Sequence, residues 1–376
     1  MTTTNRSFTS SKSIAGIAAL ATVSLIAAAR PALAATEPGY SHESYAVVPN
    51  VTWMTNLPDS LKLSYMSIPG THDTMAVWGG DTTQTQSMDL NTQLFAGIRS
   101  LDIRLLFEDN VFGLTHGQIV QPGNFDGVMQ TVSSFLHSFP GETVLMRIRD
   151  EREGFGNTMT FEDAFRTYWS KYSDIFWMNP NNETNPTLGE IRGKVVVLQN
   201  FSSSQSAYGL DYISSNSPFH VQDDYTLNSN WDLYNKWTEV LNQLGTANLV
   251  GTLCIGTQCT PLDHDNQGKL YVNYLSGSTG VFPYFVASGK SDPSTGGPLL
   301  ATGKTTPGFS GWPDFPRTSC AGSVCTISFE GTNNLAYNWL TGVQRKRVGI
   351  IMADFPGPGL ISAIIALNQE AAKNFN

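Results

Sequence analysis

Three short stretches hold the residue types of acid–base chemistry around a fixed cation: Ser67-Ile68-Pro69-Gly70-Thr71-His72-Asp73, Leu101-Asp102-Ile103-Arg104 and Leu114-Thr115-His116-Gly117. Histidine takes up and returns a proton near neutral pH. A carboxylate that accepts the proton of one ring nitrogen fixes the tautomer and steadies the imidazolium. Arginine stays charged and presents its donors as a planar fork, which suits charge growing on phosphate oxygens. Two histidines, flanking carboxylates and one arginine therefore point to attack on a phosphodiester. His72 and His116 each end a strand-like run beside a glycine turn, a setting that exposes a side chain. The other four histidines carry less. His42 and His137 read as solvent-facing and His220 as packing. His264, in Asp263-His264-Asp265, reads as a polar loop without a third metal ligand. Trp231 and Trp237 read as core.

Something must hold these groups together. Strand patterns fall at Leu63–Ile68, Ile98–Leu105, Thr143–Ile148, Lys194–Leu198, Lys269–Tyr274 and Val348–Met352. Helical patterns fall at Asp89–Ala96, Phe125–Ser138, Thr160–Lys171, Trp231–Leu244, Asn333–Gly342 and Leu360–Lys373, and Phe125–Ser138 places Val128, Val132, Phe135 and Leu136 on one face. Alternation of this kind predicts a mostly parallel sheet with outer helices. With the length of the chain it predicts a distorted (β/α)8 TIM-like barrel in a single domain, spanning residues 61–376 after a lead-in at 35–60. Gly277–Thr326, rich in Gly, Pro, Ser and Thr, reads as long loops. Barrel active sites lie at the carboxyl ends of strands. His72, Arg104, Arg149 and Asp354 all fall at such ends, far apart in sequence but on one rim.

The N-terminus has the layout of a secretory signal peptide over residues 1–34: Arg6 and Lys12, an apolar run from Ile14 to Ala29, then Ala32-Leu33-Ala34. The expected product is a secreted, extracellular monomer. Loss of Arg6, Lys12 and Arg30 takes the formal charge from −9 to −12 (−9 − 3). An acidic surface does not draw nucleic acid or anionic lipid by long-range attraction, so an anionic substrate needs a local cluster of cations. The four cysteines form two close pairs, Cys254 with Cys259 and Cys320 with Cys325. Two local disulfides are expected in an oxidising compartment, although four cysteines allow three pairings. The sequons at Asn50, Asn182 and Asn200 matter only in a eukaryotic host.

Six ordered segments resemble the bacterial-type phosphatidylinositol-specific phospholipase C family, in its small secreted form. They are SIPGTHD at Ser67–Asp73, LDIR at Leu101–Arg104, LTHG at Leu114–Gly117, ETVLMRIRDE at Glu142–Glu151, VQDDY at Val221–Tyr225 and RVGIIMADF at Arg347–Phe355. The resemblance implies cleavage of phosphatidylinositol, and of glycosylated inositol anchors, at a membrane surface. It implies His72 as general base paired with Asp354, and His116 as general acid oriented by Asp73. Arg104 would neutralise the phosphate, while Arg149, Asp223 and Tyr225 would hold the inositol ring. The products implied are diacylglycerol and inositol 1,2-cyclic phosphate. Three departures stand out. Asn200 stands where the family usually carries an arginine, and Arg149 where many relatives have lysine. Asp81–Gln86 is polar where relatives carry a membrane-inserting tryptophan, a role left to Trp78 or to the loop Gly280–Phe285. Metal-using phosphodiesterases on the same fold place an acidic pair at the end of the second strand. Here its second member is Arg104, so Asp102 is read as orienting that arginine, and no metal or cofactor is expected. A metal-dependent phosphodiesterase acting on glycerophosphodiesters or other lipids, and a non-catalytic inositol- or glycan-binding protein, remain the alternatives.

Overall fold

The computed structural model describes residues 1–2, 37–46, 48–204, 208–248, 268–343 and 345–373, and the backbone of 252–255 and 258–261. The expected signal peptide lies outside the described residues. Ala35–Asn376 forms one compact unit. No described helix is long and apolar enough to cross a membrane.

Eight parallel strands make the frame: β1 (Ile68–Thr71), β2 (Ser100–Glu108), β3 (Val144–Glu153), β4 (Val195–Asn200), β5 (Leu210–Asp211), β6 (Phe219–Gln222), β7 (Leu270–Tyr274) and β8 (Ile350–Ala353). They pair in the order β5-β4-β3-β2-β1-β8-β7-β6, every pairing parallel. This is the order of a (β/α)8 barrel with one seam left unpaired, between β5 and β6, among the described residues. The seam has a local cause. β5 is only two residues long, and Tyr212–Pro218 joins it to β6 without a helix.

Both faces of the sheet are covered, so β1, β7 and β8 are buried along their whole length. Outward residues such as Leu101, Ile103, Val144, Met146, Val195 and Val197 pack with the helices Phe125–Ser138 and Phe161–Lys171. Phe125–Ser138 has the predicted bounds. Asn124 caps it, accepting from Gly127 N at 2.9 Å, and Val128, Val132, Phe135 and Leu136 are all buried. Inward residues pack among themselves and include Ile68, Leu145, Val196, Leu198, Leu270, Val272, Ile350 and Met352. A Cβ on Gly70 would come within 2.5 Å of Met352 Sδ and 2.9 Å of the Ser100 backbone oxygen, so only glycine fits where β1, β2 and β8 meet.

Two expectations need correction. Leu63–Tyr65 is a 3-10 turn and the strand begins only at Ile68, because Leu63 and Met66 fill the barrel core from below. Gly277–Thr326 is not all loop. It carries the helix Pro283–Ser288 and most of a three-stranded antiparallel sheet formed by Leu300–Thr305, Arg317–Ala321 and Val324–Phe329. Ile327 and Phe329 give that sheet a buried anchor beside Trp312 and Phe315, a signal too short to stand out among the polar residues. The expected Cys320–Cys325 disulfide closes its turn. Cys254 and Cys259 face each other in an antiparallel backbone pair, and their side chains lie outside the described residues.

Below the barrel, Arg99 and Glu142 form a fully buried ion pair at 2.9 Å. Glu142 also accepts from the backbone N–H groups of Met54 and Thr55, at 3.1 and 2.9 Å, and so ties the lead-in to the sheet. Glu142→Ala would leave a buried guanidinium without its counter-charge and the Met54 and Thr55 amides without their acceptor. A loss of roughly 3–5 kcal/mol is expected in urea unfolding, and a change below about 1 kcal/mol would show that the pair does not hold the lead-in.

Candidate active site

The inner faces of the strands climb from apolar to polar. With period two, β1 reads Ile68, Gly70, then His72, and β2 reads Ser100, Asp102, Arg104. β3 reads Leu145, Arg147, Arg149, and β4 reads Val196, Leu198, Asn200. β7 reads Leu270, Val272, Tyr274, and β8 reads Ile350, Met352, then Asp354. Each strand thus carries its polar groups to the carboxyl end, the mouth of the barrel.

His72 and Asp354 come from adjacent strands in register, since Thr71 pairs with Ala353 one residue earlier. Their side chains meet at 2.8 Å through Nδ1 and Oδ1. The neighbouring residues on both strands, Asp73 and Phe355, have left-handed backbones, with φ 46° and 45°. Such conformations cost energy in non-glycine residues and gather at functional sites. Gln86 clamps the two strand ends, its Nε2 donating to the carbonyls of His72 and Ala353 at 2.9 and 3.0 Å. Thr85 Oγ1 donates to the Asp73 carbonyl at 3.0 Å. The polar stretch Asp81–Gln86 therefore serves the strand ends.

Arg104 is the hub. One of its nitrogens lies 2.8 Å from His72 Nε2, and its guanidinium contacts Asp102 and Asp73 at 3.2 Å and Glu151 at 3.6 Å. A guanidinium can only donate, so this contact identifies Nε2 as the unprotonated nitrogen of a neutral His72, with Nδ1–H directed at Asp354. His116 ends the hairpin strand Val111–His116, which follows β2. Its Nδ1 donates to the Thr83 carbonyl at 2.7 Å, and its Nε2 faces Asp73 Oδ2 at 3.3 Å. The two imidazoles share one cleft, with ring centres 6.4 Å apart and planes at 88°.

Burial alone would make the charged form of His72 costly. The Asp354 carboxylate, with help from Asp73, overcomes both that penalty and the opposing charge of Arg104, and raises the imidazole above its ordinary pKa. Asp73 is raised by burial, against the pull of Arg104 and His116. Asp102 behaves oppositely. Burial would raise it, but Arg147 and Arg104 hold it far below the usual carboxylate range.

Sequence reasoning missed the second cation of this network. Arg147 is buried and contacts Asp102 Oδ1 and the Tyr274 hydroxyl, both at 3.1 Å, and its Nε donates to Asn200 Oδ1 at 2.8 Å. Its guanidinium lies 4.9 Å from the centre of the Tyr212 ring. Burial pushes the Tyr212 hydroxyl up to about 12, against the charge of Arg147. Arg149 is on the same face one step nearer solvent, 39% exposed and paired with Glu151 at 2.8 Å. The alternation Leu145, Arg147, Arg149 turns both arginines inward and could have flagged the first.

Asp223 and Tyr225 follow β6 and stand exposed on the rim. Asp223 is close enough for its charge to act on Tyr212 and on Lys236. Burial pulls the Lys236 ammonium down to about 8, and its Nζ donates to the carbonyls of Tyr274 and Asp224 at 2.8 and 2.7 Å. Asn200 serves as an acceptor for Arg147. Trp231 is 56% exposed, not core as expected, because it lies in the turn that precedes the helix Leu233–Asn248; Trp237, inside that helix, is core. His42 is not solvent-facing. It is half-buried and stacks on Phe355 with ring centres 4.8 Å apart. His220 is exposed beside the Tyr271 ring, His137 is exposed and pairs with Asp174, and His264 lies outside the described residues.

Fold and mouth together define an open α/β barrel with a His–Arg–His cleft. Residues 60–201 match the family described as phosphatidylinositol-specific phospholipase C, X domain. A 1-phosphatidylinositol phosphodiesterase of Listeria monocytogenes is 35% identical over 190 residues, which span 46% of this chain and 57% of that protein. One from Staphylococcus aureus is 28% identical over 259 residues, 61% of this chain and 75% of the other. The solved phosphatidylinositol-specific phospholipase C from Listeria monocytogenes superposes with a TM-score of 0.61 and 27% identity, over 85% of this chain and 99% of that one. Residues 60–201 thus carry the match to that family, and the chain spans 57% of the length of the first of these relatives.

The raised His72 has a measurable consequence. Titration of its ring by NMR should give a pKa above 6.5, the ordinary value, and Asp354→Asn should lower it. A wild-type value below the ordinary one would contradict the pairing described here.

Proposed function

We propose that the protein cleaves phosphatidylinositol by internal transfer, with His72 as general base and His116 as general acid. The lone pair of His72 Nε2 takes the proton of the inositol 2-hydroxyl, while Nδ1–H stays with Asp354. The freed oxygen attacks phosphorus within the same molecule, where effective concentration is high. The phosphorus–oxygen bond to diacylglycerol breaks as the new one forms, and His116 gives its Nε2 proton to the departing oxygen. The products balance as diacylglycerol and inositol 1,2-cyclic phosphate. Arg104 turns donors to the non-bridging oxygens and releases Nε2 as it does so. The observation that carries this reading is the contact of one guanidinium with the base nitrogen, in a cleft shared by the second imidazole. Both Asp102 oxygens are occupied by guanidinium groups, Oδ2 by Arg104 and Oδ1 by Arg147. That supports chemistry without a metal ligand at Asp102.

We assign the inositol ring to the mouth above Arg147, Tyr212, Tyr274 and Asn200, with Asp223, Tyr225 and Arg149 at its edge. Exposed apolar side chains ring the mouth: Trp78 (63%), Val120 (53%), Phe155 (85%) and Ile213 (56%). They support docking on a lipid surface, and one solved Staphylococcus aureus relative is described for its membrane binding. Trp78 suits that role better than Gly280–Phe285, where Val281 and Tyr284 are buried. Extracellular action is supported by the leader-like N-terminus and the Cys320–Cys325 disulfide.

Incubation with phosphatidylinositol in EDTA should yield the cyclic phosphate, and His72→Ala should lower turnover by roughly 10²- to 10⁴-fold. Activity lost in EDTA and restored by calcium would favour a metal-dependent phosphodiesterase. No turnover under any condition would favour a binding protein. Arg147→Ala should lower kcat/KM by roughly 100-fold, and Arg149→Ala by less than about tenfold, since Arg147 faces the fully enclosed Asp102 whereas Arg149 lies 39% exposed at the rim. Equal effects would overturn the order assigned to the two arginines.

A further inference from the structure

Asp354 is held strangely lightly for the partner of a base. Its Oδ1 meets His72, and its Oδ2 has no hydrogen-bond partner among the described residues. Its backbone carbonyl accepts from Asn333 Nδ2 at 2.8 Å. Its direction must therefore come from the backbone, and the next residue, Phe355, has the left-handed φ of 45° that a bulky side chain resists. Such a conformation persists only where the surroundings impose it.

Those surroundings come largely from the lead-in. Ser41 N donates to the Phe355 carbonyl at 3.1 Å, while Phe355 N donates to Thr85 at 2.9 Å. The Phe355 ring, 2% exposed, packs against Tyr40 edge-on at 5.9 Å and lies flat against His42 at 4.8 Å. Tyr40 is fully buried, and its hydroxyl donates to the Pro293 carbonyl at 3.0 Å. Two further bonds fasten the segment to the start of the helix Pro358–Ala372: Gly357 N to the Gly39 carbonyl and Leu360 N to the Pro38 carbonyl, both 2.8 Å. Glu37 pairs with Lys290 at 2.7 Å. A Cβ on Gly357 would lie 2.4 Å from Tyr40 N, so the approach leaves no slack.

From these contacts we infer that Glu37–His42 is a strap belonging to the active site, in which Tyr40 and His42 are positioning residues that set the Asp354 carboxylate against His72 by fixing Phe355. The inference rests on the acid–base role proposed for His72. Neither residue touches the reacting atoms. They act on a bond whose length and angle decide how well the base is oriented, and displacement of about 1 Å at such a contact costs on the order of 100-fold in rate.

The test pairs His42→Ala with His42→Phe, which keeps a flat ring against Phe355. It reads kcat, KM and the His72 titration by NMR. Around His72 the charged or titratable groups are Asp354 just after β8, Asp73 beside it, Asp102 and Arg104 from β2, Tyr274 from β7 and His116 from the hairpin. None is altered by either change. His42→Ala should lower kcat roughly tenfold with KM little changed and should move the His72 titration downward, as its carboxylate loosens. His42→Phe should restore both. In an Asp354→Asn background His42→Ala should add nothing. If His42→Ala fails to fold, His42→Leu gives the same contrast of ring against no ring. Unchanged kcat and His72 titration in a folded variant, or a full effect persisting without the Asp354 carboxylate, would overturn the strap. The titration does not depend on turnover, so it judges the strap even if phosphatidylinositol proves not to be the substrate.

Discussion

One buried carboxylate sets the charge map of the mouth. Asp102 is completely enclosed, and an isolated anion there would be too costly to keep. It is tolerated because two guanidinium groups face it, Arg104 on one oxygen and Arg147 on the other. The same bonds hold Arg104 beside His72 and Arg147 beside Tyr274. A single electrostatic requirement thus positions a cation over the proposed phosphate site and another over the proposed ring site. Asp73 and Glu151 complete the surroundings of Arg104 and keep its charge fixed.

The barrel supplies the rest through register. Adjacent parallel strands bring residues of equal height together, so His72 meets Asp354 across nearly three hundred residues of sequence without a special loop. Both strands then turn sharply, at Asp73 and Phe355. Strain is stored where it aims side chains and is offset by contacts from Thr85, Gln86 and the lead-in. His116 arrives by a different route, on a hairpin that rises from β2. Its ring is fixed by the Thr83 carbonyl of the same loop that clamps His72.

Much of this was legible in the sequence, for identifiable reasons. The strand–helix alternation and the strand-end placement of His72 and Asp354 survive because parallel strands buried on both faces leave continuous apolar runs, whereas Arg104 lies mid-strand because β2 runs on to Glu108. The helix Phe125–Ser138 was readable to the residue, since a capping asparagine and a clean 3.6-residue stripe coincide there. Other features were hidden. Arg147 lies inside an apolar strand, where nothing local marks it out beside Arg149, which is closer to the acidic end of the motif. Tyr274 and Tyr212 gain meaning only once β5 and β7 flank the same cation. The small sheet at 300–329 has only a few buried residues among many polar ones, so period-two alternation was too brief to register. His42 looked like a solvent-facing residue of the lead-in because nothing local reveals a contact with Phe355, more than three hundred residues away.

The most direct test is the kinetics of Asp102→Asn on phosphatidylinositol, measured in EDTA and again with calcium. If Asp102 works by fixing two arginines, turnover should fall by roughly 100-fold or more, and calcium should restore none of it. Turnover near wild type, or a wild-type rate that calcium stimulates, would contradict the claim that a guanidinium held by this carboxylate carries the phosphate charge.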